Sequence, residues 1–302
     1  MSADVPKARL SVVVATTKPW PEVRACLDSL RDQAREAGAE IVVVDGTEAG
    51  PPATASGSYP EVRWLRRPGG SVFRLRATGL AEASGDILAI TEDHCRVAPD
   101  WCRRILDAHR EHPEAAAIGG AVSNEATSSA IDWANFFLVF SPFMPPIRDG
   151  ESEEIALQAN ISYKRRFVPR DMDRLGMMEM LFNRELRERG EKLVADGRIL
   201  VHHDQSHGWS GTLAAHYHNG RSIAGFRLGR MRALERIARA GGTAVLAPFL
   251  LYRTIRNLRG KGPLTSGMLA GVLLLIPLVL CHAAGELAGY VKGPGDSPRR
   301  LA

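Results

Sequence analysis

The chain has 302 residues, 45% hydrophobic and 24% charged, which is enough to bury a sizeable core and excludes the disordered and fibrous classes. A mild net charge of +5, with no basic motif interleaved with aromatics, excludes nucleic acid as the expected partner. Four cysteines, Cys26, Cys95, Cys102 and Cys281, lack C-x-x-C spacing, so neither a zinc site nor a disulfide scaffold is expected and reduced packing residues of a cytosolic domain are.

Residues 1–9 show no signal-peptide pattern and lead into LSVVVA at 10–15, a β-branched run ending at Thr16 in a loop with Lys18 and Pro19. Pro21 opens a helix with Val23, Cys26, Leu27 and Leu30 on one face, and Gly38 stops it. Residues 41–44 form a second buried strand closed by Asp45-Gly46. An Asp at that tip either accepts hydrogen bonds from a nucleotide or simply makes the turn. Residues 50–60 read as a flexible loop and 62–65 as a third strand. A helix is predicted over 72–83, in which Arg76 either reaches a phosphate or lies on the surface.

The stretch GDILAITEDHCRVAPDW, residues 85–101, is the most informative. Its apolar run at 87–90 marks a strand buried on both faces of a parallel sheet, and Glu92, Asp93 and His94 follow at its carboxyl end. Ligands collect outside the carboxyl ends of such strands, and two carboxylates with an imidazole can hold a divalent cation that carries a pyrophosphate. A solvated acidic turn is the alternative. A helix over 101–112 and a strand over 117–122 follow; 131–143, apolar and aromatic, is either core or a helix that cradles an acceptor.

Taken in order, the first 205 residues or so resemble an inverting family-2 glycosyltransferase of the GT-A fold. The matching pieces are the first strand at 10–16, Leu27-Asp28-Ser29-Leu30, the second strand at 41–45, Arg76-Ala77-Thr78-Gly79, and 83–94 in place of the family's A-x-G-D…D-x-D element. Residues 158–165 (QANISYKR) resemble its G-x-N-x-(A/S)-(F/Y)-(K/R)-R strand, and 177–190 its E-D pair before a helix ending R-x-x-G. The fold this implies is a Rossmann-like, mostly parallel central sheet flanked by helices. The resemblance implies that Thr16, Asp45, Arg76 and Asn160 contact a nucleoside-diphosphate sugar, here a UDP-sugar, and that Glu92, Asp93, His94 and either His202 or His203 hold Mn²⁺ or Mg²⁺. It makes Glu179 the general base, and the flanking Met178 and Met180 should desolvate its carboxylate and raise its pKa. The sequence departs from D-x-D in having Glu92 and His94 where Asp is usual, a softer set that favours Mn²⁺.

Beyond 205, residues 210–225 read as a helix, 226–239 as a basic helix with one apolar stripe, and 243–252 as an apolar stretch too short to span. Residues 262–285 carry no formal charge and are long enough to cross a bilayer, with Arg253, Arg256, Arg259 and Lys261 before them on the cytoplasmic side. The expected organisation is a catalytic domain over 1–225 and membrane-associated helices over 226–302. The expected activity is a hexosyl transfer to a lipid-linked or glycan acceptor of the cell envelope, at the inner membrane with a cytoplasmic catalytic domain. Two rivals are a nucleotidyltransferase, which would need a Gly-rich turn absent from 10–20, and a non-catalytic membrane scaffold on a degenerate transferase fold.

Overall fold

A computed structural model describes residues 10–169, 176–229 and 231–301; residues 1–9, where no signal peptide is expected, lie outside them. The chain divides into two compact units, one of residues 1–123 and 145–203, the other of residues 124–144 and 204–302.

The first unit is built on a mixed sheet. Strands β1 (Leu10–Thr16), β2 (Glu40–Asp45), β3 (Val62–Arg66) and β4 (Ile87–Glu92) form its parallel half in the order β3-β2-β1-β4. Strands β5 (Cys95–Val97), β6 (Ala115–Asn124), β7 (Gly150–Glu151), β8 (Ile161–Lys164) and β9 (Lys192–His203) form the other half, where β8 runs antiparallel to both β4 and β6, and β9 is antiparallel to β5 and β7. Helices α1 (Arg24–Ala37), α2 (Ala53–Ser58), α3 (Val72–Glu82) and α4 (Trp101–Glu111) connect the first strands. The all-buried pattern of β1 is what a strand covered on both faces requires.

Helix α1 ends as the sequence predicts, with Gly38 in the left-handed region at φ 61°. The expected loop at 50–60 contains α2 instead, because Ala55 and Tyr59 are buried and the Tyr59 hydroxyl donates to Asp28 Oδ1 at 2.5 Å. Residues 192–203 form one continuous strand, β9.

Two close approaches set the geometry. A Cβ on Gly79 would lie 2.3 Å from Val13 Cγ1, so a glycine there lets α3 settle directly onto β1 and β2. On the antiparallel half, a Cβ on Gly120 would meet Ile199 O at 2.2 Å and Asn160 Nδ2 at 2.3 Å, leaving room for the buried Asn160 amide. That amide accepts from Trp101 Nε1 at 2.8 Å and donates to Ala121 O at 2.7 Å and Ile199 O at 2.9 Å, tying α4, β6 and β9 together.

The second unit is helical: α5 (Ala130–Phe140), α7 (Gly208–Leu228), α8 (Ala233–Leu258), α9 (Ser266–Leu273) and α10 (Leu275–Lys292), with α6 (Glu179–Glu188) belonging to the first unit. The helix boundary expected at residue 226 is absent: α7 continues to Leu228 and α8 runs 26 residues through the stretch at 243–252, with Pro248 inside it. Ser266–Lys292 is the one segment among the described residues that is long and apolar enough to cross a membrane, by length and composition.

Asn160→Ala strands three buried hydrogen-bonding groups at about 1 kcal/mol or more each, so the expected loss of stability in a denaturant titration is about 3 kcal/mol. A loss under about 1 kcal/mol would show that the amide does not hold these elements together.

Candidate active site

The site lies where β1 and β4 end. Their parallel register sets Ala15 beside Glu92, which brings Thr16 next to Asp93, and the Thr16 hydroxyl donates to Asp93 Oδ2 at 2.7 Å. Asp93 Oδ1 lies 2.7 Å from His94 Nδ1. A carboxylate can only accept, so His94 Nδ1 carries a proton and donates it to Asp93, while Nε2 faces away from Asp93. Burial alone would raise the Asp93 carboxyl, but the hydrogen bond and charge of His94, the nearby Lys18 ammonium and the Thr16 hydroxyl hold it below the ordinary range.

The short strand β5 then brings in β9. Cys95 is paired with His203 and Arg96 with His202, so the two histidines point to opposite faces of β9. His203 Nε2 lies 3.1 Å from His94 Nε2 and 3.7 Å from Glu92 Oε2, and His94 Nε2 lies 3.6 Å from the same Glu92 oxygen. Three donor atoms this close, one oxygen and two imidazole nitrogens, fit a single divalent ion bound at about 2.1 Å from each. Cys95 Sγ belongs to a donor group within 4.8 Å together with Glu92 and His94. Burial, then the charge of Glu92, pushes its thiol well up.

Glu92 faces two ways. Its Oε1 accepts from Arg76 Nη2 at 2.9 Å, and Arg76 Nη1 lies 3.5 Å from Glu179 Oε1. Arg76 is 5% exposed, which removes the surface reading of this residue, and its guanidinium is committed to two carboxylates. Glu179 opens α6 and is 2% exposed between the buried Met177 and Met178 and the rest of the core. Burial pushes its carboxyl above the ordinary range, the Arg76 charge pulls the other way, and the Glu92 charge adds to the rise.

The expected residues therefore separate. Thr16, Arg76, Glu92, Asp93, His94, Glu179 and His203 form one connected cluster. Asp93 stands behind His94 instead of beside the donor atoms, because both its oxygens are taken by Thr16 and His94. His202 is turned away, its Nδ1 2.8 Å from Ser123 Oγ. Asn160 is spent on internal bonds, as described above, and is 1% exposed. Asp45 is the cross-strand neighbour of Thr16 and makes the turn, accepting from Thr47 N at 2.6 Å. The bridging of Arg76 between two carboxylates had no signal in the sequence beyond its place one turn before Gly79.

Among solved structures, a mannosyltransferase, PcManGT from Pyrobaculum calidifontis in complex with GDP-Man and Mn²⁺, aligns with 95% of this chain and 87% of its own at 19% identity and a TM-score of 0.54. TarS 1–349 of S. aureus in complex with UDP aligns with 95% of this chain and 90% of its own at 14% identity and a TM-score of 0.54. These likenesses establish the GT-A fold. A stretch of 47 residues is 34% identical to the glucosyl-dolichyl phosphate glucuronosyltransferase of Haloferax volcanii; it covers 16% of this chain and 15% of that relative. Residues 11–170 match the profile of glycosyl transferase family 2. With a GT-A sheet beneath it and a match over more than half its length, the chain belongs to glycosyl transferase family 2 and is a glycosyltransferase.

Proposed function

We propose that this enzyme transfers a hexosyl unit, with inversion, from a nucleoside-diphosphate sugar, a UDP-sugar, to a lipid-linked or glycan acceptor in cell-envelope glycan synthesis. The reading includes action at the inner membrane, with the catalytic unit on the cytoplasmic side where nucleotide sugars are made. The observation that carries it is the convergence of Glu92 Oε2, His94 Nε2 and His203 Nε2, 3.1 to 3.7 Å apart, linked through Arg76 to the buried Glu179. Support for the donor class comes from the fold neighbours, one described with GDP-Man and Mn²⁺ and the other with UDP. The name of the Haloferax relative, a glucosyl-dolichyl phosphate glucuronosyltransferase, supports a lipid-linked acceptor.

In this reading Glu92, His94 and His203 would hold Mn²⁺ or Mg²⁺, which supplies charge neutralisation to the departing nucleoside diphosphate. Asp93 fixes the tautomer and the angle of the His94 ring, and Thr16 fixes Asp93. Arg76 holds Glu92 and Glu179 in register. Asp45, beside Thr16 at the next strand's tip, borders the nucleotide. Glu179 Oε1, ion-paired with Arg76 Nη1 at 3.5 Å, accepts no hydrogen bond from the protein among the described residues, and in this reading it takes the proton of an acceptor hydroxyl. As the acceptor oxygen bonds to the anomeric carbon, the bond from that carbon to the diphosphate breaks on the opposite face.

The first test is thermal shift with UDP, GDP and their sugars in the presence of Mn²⁺. A rise in the midpoint for one nucleotide set is expected, and no rise for any of them defeats the assignment. Glu179→Gln should lower kcat by about 10²- to 10⁴-fold with the fold intact. Because only the deprotonated carboxylate is a base and burial raises its pKa, activity should fall away as pH drops through a value above the ordinary Glu range of about 4.3. An acid limb at or below that ordinary value, or a fully active Gln variant, would assign the base elsewhere. Asp93→Asn should weaken Mn²⁺ binding by about 10- to 100-fold, measured from free Mn²⁺ by electron paramagnetic resonance. Unchanged affinity in that variant would show that His94 needs no carboxylate behind it.

A further inference from the structure

We propose that the helical unit lies in the plane of an anionic membrane surface, with α8 and the α9–α10 segment half-sunk side by side, and that neither crosses the bilayer. This deepens the membrane reading above and rests on it.

The first observation is how the hydrophobic surface is distributed. On α8 the exposed large side chains are Leu234, Ile237, Val245, Phe249, Tyr252 and Ile255, a single stripe at helical spacing along nearly the whole helix. On α9 and α10 they are Leu269, Leu273, Ile276, Leu280, Leu287 and Val291, again one stripe. Leu234, at 82%, and Leu273, at 72%, are among the most exposed. Stripes of this kind want an apolar medium on one side only, as an interfacial helix has.

The second observation is what covers the other side. Helix α10 is pressed onto α7 so tightly that a Cβ on Gly285 would lie 2.0 Å from Tyr217 O, and one on Gly289 2.7 Å from Arg221 O. A Cβ on Gly220 of α7 would lie 2.2 Å from His282 O. That stretch of α7 carries His216, His218 and Arg221. Were α10 to cross the bilayer, the half-buried His218 and Arg221 would go with it toward hydrocarbon, where each is costly.

The third observation is charge. The Arg236 guanidinium donates to the backbone carbonyls of Tyr290 and Val291, which sets the start of α8 against the end of α10, so the two helices run antiparallel. A crossing would then put the basic groups at the start of α8 (Arg232, Arg236, Arg239) and those at its end (Arg253, Arg256, Arg259, with Lys261 just beyond) on opposite sides. The bias of Lys and Arg toward the cytoplasmic side opposes this. Lying flat, both clusters stay at one surface, where the exposed Arg232, Arg256 and Arg259 can reach anionic phosphates at about 1 kcal/mol per residue.

The test uses the full chain in membranes of an expressing host, with Cys281→Ser to remove the one incompletely buried thiol. Single cysteines are placed by Pro263→Cys, between α8 and α9, and by Lys292→Cys, at the end of α10. A membrane-impermeant maleimide should label both in inverted vesicles and neither in right-side-out vesicles. Labelling of one in each preparation overturns the in-plane arrangement and leaves the membrane reading standing; a chain found wholly in the soluble fraction overturns both. The double variant Val245→Glu/Phe249→Glu should move the chain from the membrane pellet to the supernatant by more than tenfold, with hydrolysis of the donor unchanged. Retention in the pellet would show a crossing segment elsewhere.

Discussion

The site depends on one buried guanidinium. Arg76 reaches Glu92 with one nitrogen and Glu179 with another, so two carboxylates from different elements share a single positive charge. Removing one partner of a buried ion pair costs about 3–5 kcal/mol, because the other charge is left without compensation. Here there are two such partners, and neither has much access to water, so the guanidinium fixes both in place. Its planar fork is what makes this feasible; a lysine presents one point charge and cannot bridge two acceptors in this way.

The guanidinium is in position because of a glycine. Gly79 lets α3 rest on β1 and β2, and Arg76, one turn earlier, comes down over the carboxyl ends of the strands, where Glu92 already stands. The opposite wall is made by the antiparallel half of the sheet. Gly120 and the Asn160 amide hold β6 against β9, and β9 delivers His203 at its last residue. The stability of that half and the geometry of the donor atoms are therefore one problem: loosening β9 by an ångström moves a nitrogen that must sit 3.1 Å from its neighbour.

The parallel half was legible in the sequence because its signals are local. Apolar runs, Gly stops and the acidic tip at 92–94 each lie within a few residues, and the family resemblance orders them. What was not legible depends on pairing between distant segments. β5 is three residues long and carries no run of its own, yet its pairing with β9 decides that His203 and not His202 faces His94. Strand residues alternate faces, so a one-residue ambiguity in register is a complete ambiguity in function. Asn160 shows the same limit: an Asn on a strand beside the expected donor reads as a sugar contact until Trp101, Ala121 and Ile199 are seen to occupy its amide.

The replacement of the usual acidic pair by Glu92 and His94 has an electrostatic consequence for the proposed transfer. Two neutral imidazoles and one carboxylate carry a formal charge of about −1, so a divalent ion held by them keeps a net positive charge toward a departing diphosphate, whereas two carboxylates would cancel it. Asp93 would restore part of the negative charge, but from behind His94, where it would strengthen the nitrogen as a ligand without occupying a position at the ion. In that reading Glu92 would be shared between an ion and Arg76, which already holds its Oε1. The more its charge is drawn toward the ion, the less it opposes ionisation of Glu179, and the more of the Arg76 charge is left to hold Glu179 as a carboxylate. If Glu179 is the base, it would be best prepared when the leaving group's counter-charge is in place, with no moving part between them.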